Sequence, residues 1–296
     1  MTAAHWNVLL IYFGFTLVAT LLALARRWLR PNAGGESVWR KYPVYILINL
    51  FFLAASWLPP ESHALTILLA VLGALASWEI ARALIQSARL FLFPAVTLVL
   101  VVVADFLSMT DWFKIWLATL LVAVAAATLT TKPDNYSRPA LALAGCLIYL
   151  PLCLAPYLWI QQGDPSGFRS VFLYLIVATN DALAQITGQL LGRRQLSPHV
   201  SPAKTVEGAA GGLLFASAMG LALGRSIGFD FLTVAMFGAL LGMAGLVGDL
   251  TASMWKRALG IRNYSALLGA QGGVLDRFDG LIFAAPIFYL LLVIAA

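Results

Sequence analysis

Hydrophobic residues form long stretches along this chain, and polar residues are confined to short segments between them. Ten runs of roughly 17 to 22 residues are long enough to cross about 30 Å of hydrocarbon as helices. They cover residues 6–25, 42–58, 63–84, 90–107, 112–130, 140–160, 172–191, 205–223, 231–252 and 279–296. The pattern therefore predicts an all-α, polytopic integral membrane protein with about 8–10 transmembrane helices.

The composition excludes a soluble globular protein, because hydrophobic residues make up 61% of the chain and charged residues only 11%. The first run has no Lys or Arg before it and Arg26 after it, so we expect it to stay as a helix rather than to be cleaved as a signal peptide. Cys146 and Cys153 lie seven residues apart in one predicted span. They are typical of small packing residues and indicate neither a disulfide framework nor a metal site.

The basic residues are distributed unevenly between the two predicted sides of the membrane. If successive loops alternate, 16 of the 19 Lys and Arg residues lie on one side, and the other side has only Lys114, Arg169 and Arg225. The positive-inside rule places the larger group in the cytoplasm, and both termini outside if there are ten spans. The net charge of +6 is thus a topology signal that requires no nucleic-acid partner. A prokaryotic inner membrane is the expected location, because no long soluble extension accompanies the spans.

The long polar segments, 26–41, 192–204 and 253–278, all fall on the predicted cytoplasmic side. The first is rich in turn-forming residues and is interpreted as a connector. Function is therefore expected in the other two. On this basis we divide the chain into N-terminal helices (1–170) that serve packing and lipid contact, and a C-terminal transmembrane catalytic core (171–296).

Acidic residues within spans are costly in lipid and are candidates for function. Asp181 lies about ten residues from the cytoplasmic end of its span, and Gln185 and Gly188 follow it on the same helix face. This polar face predicts a water-filled cleft, and an Asp hydrogen-bonded between helices is the alternative. In the loop that follows, Pro202 and its neighbouring Ser and Thr residues are typical of a helix start, where backbone N–H groups and Lys204 would attract a phosphate.

The end of the chain holds further acids and bases at helical spacing. Asp249 and Lys256 share one helix face, so Lys256 could simply neutralise Asp249, and Asp276 and Asp279 are one turn apart. Two close carboxylates repel each other unless a cation lies between them, and Mg²⁺ binds carboxylate and phosphate oxygens. The pattern favours metal-assisted phosphoryl or nucleotidyl transfer. An ion-coupled transporter explains the same residues nearly as well. His199 has no partner histidine at ligand spacing and is interpreted as a loop residue.

These segments together resemble the phosphatidate cytidylyltransferases, also called CDP-diacylglycerol synthases. The resemblance covers about 110 residues from Asn180 onward. The matching residues are Asp181; Ser201, Pro202, Ala203, Lys204, Thr205, Val206, Glu207 and Gly208 in succession; Gly248 and Asp249, followed by Ser253, Lys256 and Arg257; and Gly272 and Gly273, followed by Asp276, Arg277 and Asp279.

The resemblance implies transfer of the cytidylyl group of CTP to phosphatidic acid or a related lipid phosphate, with Mg²⁺ as cofactor. It implies a catalytic group of Asp249, Asp276, Asp279 and Lys256, in which the three aspartates hold the metal. The implied substrate-binding residues are Ser201, Lys204, Thr205, Ser253, Arg257 and Arg277, with Asp181 and Glu207 organising the cleft. Membrane lipids are expected partners, and a second copy of the chain, giving a homodimer, is a possible one.

The sequence departs from the family pattern at two places. Arg262 and Asn263 stand where the family usually has Lys-Asp, and Gln271 stands where it has His. A carboxylate and an imidazole are thereby lost. Three alternatives follow: a slower synthase, a relative that acts on another lipid phosphate or a polyprenyl acceptor, or a protein that keeps the fold without catalysis.

Overall fold

The computed structural model of the chain describes residues 2–29, 36–84, 92–106, 149–269 and 272–295, and most of these residues are helical. The helices, numbered in chain order within these residues, are α1 (Ala3–Leu29), α2 (Glu36–Trp57), α3 (Ala64–Leu84), α4 (Leu92–Phe106), α5 (Leu150–Gln162), α6 (Phe168–Leu191), α7 (Val206–Ile227), α8 (Phe231–Ala258) and α9 (Val274–Ala295). A 3₁₀ turn at Pro60–Ser62 precedes α3.

Six of the described helices, α1, α3, α6, α7, α8 and α9, are long and apolar enough to cross a membrane. A helix satisfies its backbone hydrogen bonds internally, as lipid requires. The prediction of an all-α, polytopic membrane protein is therefore confirmed. The predicted run 112–130 and residues 140–148 of the run 140–160, which include Cys146, lie outside the described residues. The number of spans stays a prediction for that reason.

The polar segment after α6 folds into a short β-hairpin, which the sequence analysis did not predict. Strands β1 (Gln195–Ser197) and β2 (Ser201–Thr205) pair antiparallel around a turn that contains His199. Pro202 therefore lies in a strand rather than at a helix start. Thr205 caps α7 instead, because its side chain accepts a hydrogen bond from the Gly208 N–H.

Helix α9 begins at Val274, five residues before the predicted run that starts at 279. Helix α8 continues past the predicted end at 252 to Ala258. Both differences arise because the polar residues at these ends find partners inside the fold and no longer interrupt the helix. Asp276 and Lys256 therefore lie within helices, in agreement with their predicted helical spacing from Asp279 and Asp249.

Helices α6 to α9 pack antiparallel, each against the next, through close contacts at glycine. A Cβ added to Gly212 of α7 would lie 2.8 Å from Asn180 Oδ1 of α6, and one added to Gly238 of α8 would lie 2.6 Å from the Ala216 carbonyl oxygen of α7. Small residues at such positions let helix backbones approach closely in lipid. These contacts hold the polar ends of α6 and α8 near the hairpin.

The N-terminal helices pack directly on these four helices. Helices α1 and α2 contact α6, and α3 contacts α9. Phe52 of α2 stacks on Tyr174 of α6 with 4.2 Å between ring centres, and both belong to the same hydrophobic core as Leu69 of α3. The division of the chain at residue 170 stays a prediction, since the described helices on its two sides share that core.

Candidate active site

A cavity of about 660 Å³ lies between α1, α2, α6, α8, α9 and the hairpin. Eleven of the twelve predicted site residues line it: Asp181, Ser201, Lys204, Thr205, Asp249, Ser253, Lys256, Arg257, Asp276, Arg277 and Asp279. Gln185 and Gly188, predicted to lie on the same cleft face as Asp181, line it too. Glu207, the twelfth, does not line the cavity.

Asp249 and Asp279 lie next to a close contact between α8 and α9. A Cβ added to Gly248 would lie 2.6 Å from the backbone oxygen of Asp279, and one added to Gly280 would lie 3.0 Å from the Gly245 backbone oxygen. The absence of side chains at these positions lets the two helices approach. The glycines that flank the two acids in sequence therefore bring them together in space.

Two lysine–aspartate ion pairs lie at the hairpin end of the cavity. Lys204 Nζ of β2 lies 2.5 Å from Asp249 Oδ2 of α8. Lys256 Nζ of α8 lies 2.7 Å from Asp276 Oδ1 of α9. Lys256 forms its direct ion pair with Asp276, and Lys204 reaches Asp249 from the hairpin. We call these four residues the charged end of the cavity.

A third ion pair lies farther along the wall. Arg277 Nη1 of α9 donates to Asp181 Oδ2 of α6 at 3.0 Å. The Arg277 guanidinium also lies over the ring of Tyr45 of α2, 4.9 Å from its centre. Its Nε is buried, and it has no hydrogen-bond partner within the described part of the chain. One guanidinium donor of Arg277 is therefore left without an acceptor among the described residues.

Glu207 acts on the hairpin from behind the cavity wall. Its Oε2 accepts hydrogen bonds from the backbone N–H groups of Arg193 and Arg194, at 3.0 and 3.2 Å. These bonds join the first turn of α7 to the base of β1, the strand that pairs with β2. The arrangement supports the predicted organising role, because β2 carries Lys204 into the cavity.

Two further predicted residues hold the charged end in place. Ser253 Oγ donates to Asp249 Oδ1 at 3.3 Å, across one turn of α8. Arg257 Nε donates to the Val200 carbonyl oxygen at 3.1 Å and so connects the end of α8 to the hairpin turn. Arg257 itself is exposed at the cavity wall.

Both oxygens of Asp276 already have protein partners. Oδ1 pairs with Lys256, and Oδ2 accepts from the backbone N–H groups of Tyr264 at 3.0 Å and Gly273 at 2.9 Å. Gly272, before Gly273, has φ +86°, and a Cβ there would lie 2.9 Å from Asp276 Oδ2. The Gly-Gly pair of the sequence motif therefore makes room for this carboxylate.

Asp279 is the acid with a free oxygen. Its side chain is 6% exposed, and its Oδ1 accepts from the Gly280 N–H at 2.7 Å. Oδ2 is buried and has no hydrogen-bond partner among the described residues. A buried carboxylate oxygen beside a second acid, Asp249, fits a hard divalent cation such as Mg²⁺.

The described residues contain no group of three acidic, His or Cys side chains arranged to hold a metal. Asp279 fits a cation best, since one of its oxygens has no partner among these residues. Asp249 has two partners and Asp276 has three, so Asp276 fits a cation least well. The predicted Mg²⁺ and its three aspartate ligands stay a prediction.

The far side of the cavity is aromatic. Tyr12 of α1, Tyr45 of α2 and Tyr174 of α6 line it, and we call this group the tyrosine end. Asn49, fully buried on α2, donates to the Tyr12 hydroxyl at 3.2 Å and accepts from the Tyr174 hydroxyl at 2.5 Å. Tyr174 precedes Asp181 by seven residues, which is about 10 Å along α6 away from the hairpin. The cavity therefore extends from the hairpin into the depth of the helices.

Sequence analysis missed the contribution of the N-terminal helices. Tyr45 and Asn49 lie in an apolar run that gave no sign of a site. Glu79, fully buried on α3, contacts the start of α9. An acid inside an apolar run was the signal that could have identified it.

Two of the departures from the family pattern lie on the cavity wall. Arg262 and Asn263 are both exposed and line it. Gln271 lies outside the described residues. His199 is exposed in the hairpin turn, as a loop residue would be.

Comparison with known protein families identifies the chain. The cytidylyltransferase family matches residues 39–295, well beyond the C-terminal segment that carried the resemblance. A phosphatidate cytidylyltransferase of Aquifex aeolicus is 35% identical over 146 residues, which are 49% of this chain and 55% of the relative. One of Bacillus subtilis (strain 168) is 33% identical over 148 residues, with the same two shares.

The uncharacterized protein YnbB of Escherichia coli (strain K12) is 30% identical over 179 residues, which are 58% of this chain and 60% of that protein. The chain therefore spans little more than half the length of the curated relatives it matches. Because the family match covers most of its length, the chain belongs to the cytidylyltransferase family.

Proposed function

We propose that this protein transfers the cytidylyl group of CTP to phosphatidic acid, forming CDP-diacylglycerol and releasing pyrophosphate. The observation that carries the proposal is one cavity with two unlike ends, the charged end at the hairpin and the tyrosine end within the helices. A nucleotide triphosphate is polyanionic and arrives from water, whereas a lipid phosphate stays anchored in the bilayer. Relatives named phosphatidate cytidylyltransferase add support.

The charged end suits the triphosphate because ion pairs with aspartates hold its two lysines in the cavity. Lys204 and Lys256 each contact one carboxylate, and phosphate oxygens can replace those carboxylates as hydrogen-bond acceptors. Mg²⁺ held by Asp249 and Asp279 would neutralise phosphate charge. Before CTP binds, Asp249 and Asp276 compensate the positive charge of the two lysines.

In the reaction an oxygen of the lipid phosphate forms a bond to the α-phosphorus of CTP. The bond from that phosphorus to the β-phosphate bridging oxygen breaks, and pyrophosphate leaves with the electron pair. The attacking oxygen is already anionic, so positioning and charge neutralisation matter more than a strong base. Arg277, between Asp181 and Tyr45, lies where the two ends meet and would hold the lipid phosphate.

A second candidate is the same transfer to a different lipid phosphate. Asn263 supports it, because this uncharged side chain lines the cavity where the family usually has a carboxylate. A wall with one negative charge fewer repels an anionic acceptor less and alters which head groups it accepts.

The test is formation of CDP-lipid by purified protein from α-labelled CTP and Mg²⁺, with phosphatidic acid, other lipid phosphates and a polyprenyl phosphate as separate acceptors. We expect product with phosphatidic acid and a loss of at least about a hundredfold in Asp276→Asn. Asp230→Asn is the matched control. Asp230 caps α8 at the far end by accepting from Leu232 and Thr233, which Asn can also do.

Each other outcome has a defined meaning. Product with a different acceptor alone supports the second candidate. CTP binding without product from any acceptor contradicts both candidates and indicates a non-catalytic homologue. Substrate flux across proteoliposomes without product would indicate a transporter.

A further inference from the structure

Glu79 is a buried acid that the proposed reaction does not use. It lies in the last part of α3, and its side chain is fully buried. A carboxyl group at such a position in a membrane protein is costly unless polar partners compensate for lost water, so its presence calls for a specific role.

The partners of Glu79 lie almost 200 residues away in sequence, at the start of α9 and in the loop before it. Oε1 accepts from the Ser265 hydroxyl at 2.5 Å and from the Val274 N–H at 2.9 Å. Oε2 accepts from the Leu275 N–H at 2.9 Å. The first N–H groups of a helix have no partner within that helix. Glu79 therefore caps α9 from a different helix.

The loop before α9 is shaped to admit this carboxylate. A Cβ added to Gly273 would lie 2.6 Å from both Glu79 carboxylate oxygens. The Gly273 N–H itself donates to Asp276 Oδ2. Two carboxylates therefore accept the hydrogen bonds of the N–H groups at this helix start. Glu79 accepts from Val274 and Leu275, and Asp276 accepts from Gly273.

We propose that Glu79 is a positioning residue that fixes the first turn of α9, so that Asp276 meets Lys256 in the cavity. Asp276 directly follows Leu275, whose N–H Glu79 holds, so a shift of this turn would move the Asp276 carboxylate as well. The N-terminal helices then contribute to the site through α3. The catalytic part of this inference rests on the proposed function, but the capping part does not.

The test compares Glu79→Gln with Glu61→Gln, a matched change at an exposed residue of the 3₁₀ turn. Glutamine keeps the size of the side chain and replaces one acceptor oxygen by an NH₂ group, which cannot accept a hydrogen bond. One of the two sets of donors at Glu79 must therefore lose its acceptor. Hydrogen exchange of the peptide containing Val274 and Leu275, the melting temperature, and kcat and KM for CTP are measured on the full-length protein.

For Glu79→Gln we expect faster exchange at that peptide and a kcat about ten- to a hundredfold lower, with KM for CTP changed by less than about threefold. Glu61→Gln should match the parent protein in each measurement. A purely structural role would instead lower the folded fraction and leave kcat per folded molecule unchanged. That result, or unchanged exchange at the peptide, overturns the proposal.

Ser265→Ala provides a milder variant in case Glu79→Gln does not fold. It removes one hydroxyl donor and leaves the carboxylate in place, so the same changes are expected to be smaller. Unchanged exchange and unchanged kcat in Ser265→Ala would then overturn the proposal. If the parent protein makes no CDP-lipid with any acceptor, the proposed function fails, while hydrogen exchange still decides whether Glu79 caps α9.

Discussion

The three aspartates assigned to the metal differ in what their oxygens already contact. Asp276 has a lysine and two backbone N–H groups, Asp249 has Lys204 and Ser253, and Asp279 has one oxygen without a partner in the described chain. A ligand oxygen must be free or be freed at low cost to bind a cation. The geometry thus ranks Asp279 first and Asp276 last as a Mg²⁺ ligand.

This ranking predicts different magnesium dependences for the three Asn variants. Asp279→Asn and Asp249→Asn should raise the Mg²⁺ concentration for half-maximal activity by about tenfold or more. Asp276→Asn should lower kcat with little change in that concentration, because it loses the Lys256 pair and not a ligand. Initial rates over a Mg²⁺ titration test this. An equally large shift in Asp276→Asn would make Asp276 a ligand and contradict the ranking.

Substitutions of Tyr45 test whether the tyrosine end binds the lipid substrate. Its ring lies under Arg277, and this contact is worth about 0.5–2 kcal/mol where water is excluded. Tyr45→Leu should raise KM for the lipid phosphate by about 2- to 30-fold and leave KM for CTP unchanged. Tyr45→Phe keeps the ring and serves as the control, with both constants unchanged. A rise in KM for CTP alone would assign this wall to the nucleotide.

At the scale of residues, spacing along one helix indicated which side chains share a face, but it did not indicate which neighbouring helix each side chain contacts. Asp249 and Ser253, four residues apart, do form a hydrogen bond. Lys256 forms its direct ion pair with Asp276 of the next helix, because a side chain in a span can reach a neighbouring helix as easily as its own. Nothing in the sequence specifies that β2 brings Lys204 to Asp249.

At the scale of elements, the packing of α8 against α9 sets the distance between Asp249 and Asp279. A Cβ at Gly248 would lie 2.6 Å from a backbone oxygen of α9, which cannot move without its helix. Gly248→Ala should therefore separate Asp249 from Asp279 and lower activity about tenfold or more.

The matched control for Gly248→Ala is Gly14→Ala on α1, where nothing lies within 4 Å of an added Cβ. Activity and the melting temperature of both variants are compared with the parent protein. Gly14→Ala should retain activity and gain slight helix stability. Full activity in Gly248→Ala would show that the separation of the two helices is not critical.

Long apolar helices were predictable because lipid leaves the backbone few alternatives, and α6, α7 and α8 begin within four residues of their predicted starts. The hairpin was not predictable from the sequence, since its strands have only three and five residues and include Pro202. Contacts from outside the strands, such as the hydrogen bonds of Glu207 to Arg193 and Arg194, help to hold the base of this hairpin. The early start of α9 depends likewise on a distant residue, Glu79.

For the whole molecule, the candidate site is not confined to the C-terminal part that carries the motifs. Helix α2 supplies Tyr45 to the cavity and α3 supplies Glu79 to the start of α9. Apolar runs concealed this contribution, because a single polar residue within a span changes hydropathy little. The family match from residue 39 agrees with a role for these helices in the shared fold.

The charge distribution predicts that the hairpin faces the cytoplasm. Helix α6 joins the turn at residues 163–167 to the hairpin, and its 24 residues separate these ends by about 36 Å. Arg193 and Arg194 lie at the hairpin end, whereas Arg169 lies near the other. Because basic residues are retained on the cytoplasmic side, the two ends should be accessible from opposite sides of the membrane.

Single cysteines at the two ends test this orientation in a variant whose own cysteines, Cys146 and Cys153, are replaced by Ala. Pro165→Cys and His199→Cys both place a thiol at an exposed position. A membrane-impermeant maleimide should label Pro165→Cys in intact bacterial spheroplasts and label His199→Cys only after lysis. The opposite pattern would put the cavity mouth outside, where CTP is absent, and would contradict the proposed function as well as the orientation. Labelling of both before lysis would exclude a closed membrane barrier between the two ends of α6.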